Sequence, residues 1–411
     1  MSKPNELSWV TNGRLADGRH VDLAIRDGRI ESVLPTGEQR EGVVHDLGGW
    51  LLVPPMAEPH AHLDKALTAE QVPNPKGDLG GAIDAWVAAA ADGVFTHDDM
   101  VHRIRAALDK LLLSGVTAVR SHINCGSGSG IANLLAAQEA AVGYAHLMHV
   151  EFVALTHTPM VGDGSEVNQR ALRDAVDAGV HLIGGCPALE PDGDGSIAHA
   201  LDVATGSGLP VDLHVDETLD PHTLTLRSLA RQVVDRGMEG RVAASHCVSL
   251  GVQPEDVQAA VAAEVADAGI AIVPLPQTNL FLQGRDHPVA TPRGLTPIAA
   301  LRAAGVLVAA GADNVQDPFN LVGRSDPLET ASLLVMAGHV LPDDAYEMVS
   351  NNVRRAMRLD PVRFEPGDPA DFVAIDAPSI RGAVADAPGD RTVFHAGRVV
   401  AETRTTRTIT R

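Results

Sequence analysis

Residues 100–123 read MVHRIRAALDKLLLSGVTAVRSHI, and the order of patterns in that stretch sets the fold. An Ala/Leu-rich helical pattern is closed by Ser114-Gly115 and runs straight into a β-branched strand that ends on His122. The same helix–glycine–strand punctuation returns in DAGVHLI (177–183) and RAAGVLVAA (302–310). Outward from there, eight runs read as strands, each preceded by a helical pattern. They are LLVPPMAEPH (51–60), GVTAVRSHI (115–123), HVEFVALTH (149–157), VHLIGGC (180–186), LPVDLHVDE (209–217), RVAASHC (241–247), IAIVPLPQ (270–277) and VLVAAGADN (306–314). Eight parallel βα units of this kind predict an α/β protein built as a closed (β/α)8 TIM barrel.

Both ends of the chain read as β hairpins. HVDLAIRDGRIESVLP (20–35) alternates apolar and polar residues around Asp27-Gly28, and RTVFHAGRVVAE (391–402) turns at Ala396-Gly397 after DFVAID (371–376). The expectation is one small sheet module assembled from 1–52 and 363–411, flanking a barrel over 53–362.

Composition narrows the function. Hydrophobic residues make up 45% of the 411 but aromatics only 3%, so a large core must be built from Ala, Val, Leu and Ile. A formal charge of −21 repels nucleic acid and anionic lipid, which excludes phosphate-backbone and membrane-surface partners. Cys125, Cys186 and Cys247 are far apart with no C-x-x-C pair, which fits a reducing compartment. MSKPNELSWV has no apolar leader pattern, and no apolar run is long enough to span a bilayer. The chain is expected to be soluble and cytoplasmic.

In a barrel of this class the chemistry lies at the C-terminal ends of the strands. Those ends carry His60 and His62, His122, His157, His214 with Glu217, His246, and Asp313-Asn314. His60 and His62 are two apart on a strand, so both imidazoles can enter the mouth and share one cation. His214 ends the fifth strand and can add a third nitrogen. Glu217 is placed to act as a base on water, with Asp216 as its rival. His246 reads as a further ligand or as a donor to a developing oxyanion. Asp313 opens an apolar run onto a carboxylate, which is costly to bury unless it meets a cation. Asp64 and Lys65 read as a salt-bridged pair on the rim, and His122 as a mouth residue without a role.

PPMAEPHAHLDK, THDDM, VRSHI, HVDE, SHC and GADNVQDPF, in that order along most of the chain, resemble the amidohydrolase superfamily and within it the cytosine deaminase-like group. The resemblance implies that His60, His62, His214 and Asp313 hold a metal. It makes Glu217 the proton shuttle, and His246 and Asp313 the groups that handle the attacking water. It also makes the terminal hairpins a small β-sandwich module. Relatives that bridge two metals do so with a carboxylated lysine on the fourth strand. This chain has no lysine after Lys110, so one divalent ion, zinc or iron(II), is expected. Where cytosine deaminases place a glutamine after the third strand, this chain has Thr156-His157. Asn314 stands for a second aspartate, and Phe319 for a tryptophan over the ring. His157, Asn314 and Phe319 are therefore the substrate-reading candidates. The implied reaction removes an amino group as ammonia from cytosine or a related pyrimidine, purine, pterin or triazine. Hydrolysis of a cyclic amide or of an N-alkylamine is the enzymatic rival, and a non-catalytic scaffold the other. Homo-oligomers are common in the resembling family, and nothing in the sequence specifies an interface.

Overall fold

Pro54 and Pro55 carry no backbone N–H, so no hydrogen-bonded ladder can run through them. In the computed structural model, which describes residues 7–37 and 40–410, they split the expected first strand in two. Leu51–Val53 pairs antiparallel with Phe372–Ile375 in the terminal module, and only Met56–Ala61 enters the central sheet. This corrects the single strand expected over 51–60. Residues 1–6, which hold most of the stretch read for a leader, lie outside the described residues, as do 38, 39 and 411.

The central sheet is parallel, with neighbours in chain order: Met56–Ala61, Val116–Cys125, His149–Thr156, Leu182–Ile183, Val211–Val215, Val242–His246 and Ala271–Val273. The eighth run closes the ring by two parallel bridges, Ile272 to Val308 and Ala61 to Asp313. It does not form the continuous strand that was expected, because its donors go elsewhere. Ala310 N donates to Met348 O (2.7 Å), Ala312 N donates to the Glu58 carboxylate (2.9 Å), and Asp313 turns to a φ of 68°. The result is a (β/α)8 barrel whose last member is a bridged segment.

The helix His97–Leu113 shows how each unit is assembled. Thr96 Oγ1 accepts from Asp99 N at its start, Asp98 and Asp99 fill the first turn, and Ile104, Ala107, Leu108 and Leu111 are buried. Gly115 then turns into the second strand with a φ of 94°, and a Cβ there would meet Met56 Cε at 2.7 Å. The left-handed turn is what requires glycine there, since the end of the flexible Met56 side chain could give way.

The terminal module is a sheet that runs 398–403, 391–395, 372–375, 51–53, 9–14, 20–26 and 29–35, with 44–46 beside 9–14. Both chain ends contribute, as expected for the sandwich module. Its hairpins turn at Asp27-Gly28 (φ 50° and 72°) and Ala396-Gly397 (φ 48° and 72°), the left-handed pairs that suit the twist of two strands. Leu23, Ile30, Leu52 and the stacked rings of Phe372 and Phe394 form its core. Among the described residues no helix is long and apolar enough to cross a membrane.

Candidate active site

His60 and His62 stand at the end of the first barrel strand, and the pleat sends both rings toward the axis. His214 on the fifth strand faces them, its Nε2 3.0 Å from His60 Nε2 and 3.1 Å from His62 Nε2. Asp313 Oδ1 lies 3.2 Å from His62 Nε2 and 3.7 Å from His60 Nε2. His246 ends the sixth strand with its Nε2 4.0 Å from Asp313 Oδ2. His246 and Asp313 both have left-handed backbone, φ 67° and 68°. Such strain costs about 1–3 kcal/mol per residue and collects where function demands it.

All five side chains are buried. Burial first, and then neighbouring positive groups, hold the His60, His62 and His214 imidazoles well below their ordinary pKa. These rings are neutral at pH 7 and each has a lone pair to offer. Burial also raises Asp313 to about 6. Asp313 Oδ1, His214 Nδ1 and His246 Nε2 make no hydrogen bond among the described residues. Three imidazole nitrogens and a carboxylate oxygen are thus packed together. That set fits a divalent cation of borderline softness. His60, His62 and Asp313 lie close enough to share one, as do His60, His214 and His246. With the His214 contacts above, His60, His62, His214 and Asp313 are the residues that would hold it.

Glu217 lies beside this cluster, its Oε1 3.6 Å from His246 Nδ1. Burial, reinforced by Asp313, pushes its carboxyl well above the usual range. Asp216 is committed elsewhere. It accepts from Thr225 N (2.9 Å), Thr225 Oγ1 (2.7 Å) and Leu226 N (3.0 Å), at the start of the helix Thr225–Asp235. Glu217 and His214 open onto a cleft of about 730 Å³ whose walls include Cys186, Leu189, Leu282 and Arg285.

A model of the Amidohydrolase family matches residues 94–401. The chain belongs to the amidohydrolase family. Within that superfamily it falls in the cytosine deaminase-like group. A pterin deaminase of Rhizobium rhizogenes is 33% identical over 386 residues, 92% of this chain and 87% of that protein. The structure of a 5-methylcytosine deaminase from Klebsiella pneumoniae liganded with 5-fluorocytosine superposes with a TM-score of 0.89 at 27% identity, covering 98% of this chain and 99% of that one. An N-isopropylammelide isopropylaminohydrolase from Burkholderia multivorans gives 0.82 at 26% identity, covering 96% and 98%.

Several residues of this amidohydrolase sit differently from their sequence reading. Asp64 and Lys65 do pair, with Nζ 3.9 Å from Oδ1, but not on the rim, because the turn after His62 folds inward and buries both. Asp64 accepts from Asn124 N and Asn133 Nδ2, both at 3.1 Å. Lys65 Nζ stands 3.0 Å from His62 Nδ1 and donates to Asn124 Oδ1 at 2.9 Å. His122 is fully buried below the mouth, its ring stacked on His60 at 3.9 Å. None of His157, Asn314 and Phe319 lines the cleft that holds Glu217. The Asn314 amide is occupied, with Nδ2 donating to Asp317 (2.8 Å) and Oδ1 accepting from Thr278 (3.2 Å). Phe319 is half-buried near Lys65, and His157 half-buried near Ser127.

Sequence reading passed over the groups that support the cluster. Glu58 accepts from His60 N (3.1 Å) and Ala312 N (2.9 Å), joining the two segments that carry His60 and Asp313. Arg103, from the THDDM helix, donates to the carbonyls of Asp64 (2.9 Å) and Ala66 (2.8 Å). One signal was available: Glu58, Arg120 and Asp212 each lie two residues before an inward histidine, so they face the same interior one layer down.

Proposed function

We propose that this amidohydrolase is a hydrolytic deaminase acting on a carbon–nitrogen bond other than a peptide bond. It exchanges the exocyclic amino group of a nitrogen heterocycle for oxygen and releases ammonia. The observation that carries this is the convergence of His60, His62, His214 and Asp313 beside a half-buried Glu217 at the head of a cleft. A single divalent ion, zinc or iron(II), is assigned to those four residues; when bound it acidifies water and acts as a Lewis acid.

The residues divide the remaining work. Glu217 takes a proton from the attacking water and delivers it to the ring nitrogen next to the amino-bearing carbon, which becomes more electrophilic. His246 Nε2, which makes no hydrogen bond among the described residues, keeps a lone pair that accepts from the attacking water and holds it in line. Its other nitrogen is set by Asn279 Oδ1 at 2.9 Å. Asp313 relays a proton to the amine so that it departs as ammonia and not as an amide ion.

For the substrate, a bicyclic aminopterin ring is favoured over a bare pyrimidine. A cleft of about 730 Å³ has room beyond one six-membered ring, within the roughly 300–1,000 Å³ of small-molecule sites, and the pterin deaminase relative has the same bias. His157 and Phe319 stand outside the walls of that cleft, near Ser127 and Lys65, and are assigned only to a part of the substrate that reaches beyond it. Asn314 acts one step back by fixing Asp317 in the Asp313 segment. The three free thiols fit a cytoplasmic setting.

Ammonia release by the zinc- or iron-loaded protein on pterin, 5-methylcytosine, cytosine and N-isopropylammelide tests the reading. Ammonia from pterin at the highest kcat/KM is expected. Isopropylamine from N-isopropylammelide, with no ammonia from the others, would instead support N-alkylamine hydrolysis, the reading that the Burkholderia structure favours.

A further inference from the structure

The barrel interior directly beneath the metal cluster is charged. Arg120, Asp212 and Ser245 are almost wholly buried, and they form one chain of hydrogen bonds. Arg120 Nε donates to Glu151 Oε2 at 2.9 Å and Arg120 Nη1 to Asp212 Oδ2 at 2.8 Å. The other oxygen of Asp212 accepts from Ser245 Oγ at 3.3 Å, and Ser245 Oγ stands 2.8 Å from His60 Nδ1. A hydroxyl has one proton to give. Once Ser245 gives it to Asp212, its oxygen can only accept from His60. The proton of His60 is then on Nδ1, and Nε2 keeps its lone pair for the cluster.

We infer that Asp212 and Ser245 are positioning residues that lock the tautomer and ring angle of His60 for the cation, with Arg120 and Glu151 as their anchor. His122 completes the seat by stacking on the His60 ring at 3.9 Å and 30°. These six groups come from the first, second, third, fifth and sixth strands, so the relay also ties the ligand to the scaffold as a whole. A buried ion network is a weak source of stability, and orienting a ligand gives it a function that packing alone does not. The inference rests on reading His60 as a metal ligand, and no group in the relay changes charge.

The test is zinc ion titrated into the metal-free full-length protein against a chromophoric chelator. Wild type, Ser245→Ala, Asp212→Asn, their double variant and His60→Ala are compared, with melting of each metal-free protein recorded alongside. Ser245→Ala and Asp212→Asn should each weaken zinc roughly 10- to 100-fold, the usual effect of losing such a partner. The double variant should lose little more than the worse single one, because both act through one chain. Metal-free Ser245→Ala should melt close to wild type, which separates positioning from a general loss of fold. If Asp212→Asn fails to fold, Ser245→Ala decides alone. Wild-type zinc affinity in Ser245→Ala, with affinity lost in His60→Ala, would overturn the relay and leave the ligand reading standing. Unchanged affinity in His60→Ala would overturn both.

Discussion

Two causes push the Glu217 carboxyl well above its ordinary range, its desolvation and the negative charge of Asp313, and only the second can be removed without exposing it. A divalent ion beside Asp313 offsets that charge, so Glu217 becomes a usable base only when the cluster is filled. Glu217→Gln should therefore retain its metal and lose on the order of 10²-fold or more in kcat, measured as ammonia release by metal-loaded protein. Near-normal turnover would remove Glu217 from the shuttle role. Lys65 carries an opposite expectation. An ammonium that donates to His62 Nδ1 would leave the His62 proton on Nε2, the tautomer that cannot ligate, and its charge also repels a cation. Lys65→Gln should bind zinc more tightly than wild type in chelator competition, by several-fold, and weaker binding would contradict this. The inward histidines and Asp313 were legible because they end apolar strands. The burial of Asp64 and Lys65 was not, because a turn that folds inward and a turn that points to solvent have the same letters.

At the level of the strands, the seam where the first and last members meet is a short one. Two bridged residues and the Glu58 carboxylate hold it, and a Cβ on Gly311 would collide with that carboxylate. Glu58→Gln keeps the shape but turns an N–H toward one of the two amides, leaving a buried donor unpaired. A loss of about 1–3 kcal/mol is expected in denaturant unfolding, and an unchanged midpoint would count against the staple. The second and third strands offer a pH test. Burial acts to raise Glu151, but His149 and Arg120 overcome it and hold the carboxyl down at about 2, against an ordinary 4.5. A depressed carboxyl stabilises the fold above its unfolded pKa, and that contribution disappears as pH falls from about 4.5 toward about 2. Glu151→Gln should be less stable than wild type at pH 7 by about 3 kcal/mol, with the gap closing through that window. A gap independent of pH would show that the pair contributes nothing through ionisation. Alternation and glycine punctuation made the strands and hairpins readable, whereas the split at Pro54-Pro55 and the broken eighth strand depended on tertiary donors that periodicity does not encode.

For the whole molecule, the count of eight βα units and the pairing of the two chain ends could be read because each unit repeats one local pattern. The layer below the cluster was legible only in part: Arg120 and Asp212 precede an inward histidine by two residues, but their link to Ser245 exists only when three separate strands are brought around one axis. The same convergence governs function: residues more than 250 positions apart, His60 and Asp313, act as one site only if the barrel closes. Elemental analysis of purified protein, with His62→Ala and Asp313→Ala alongside, measures this most directly. About one zinc or iron per wild-type chain is expected, falling toward zero in both variants. Two ions per chain, none, or full occupancy in the variants would contradict a single centre built from these four side chains.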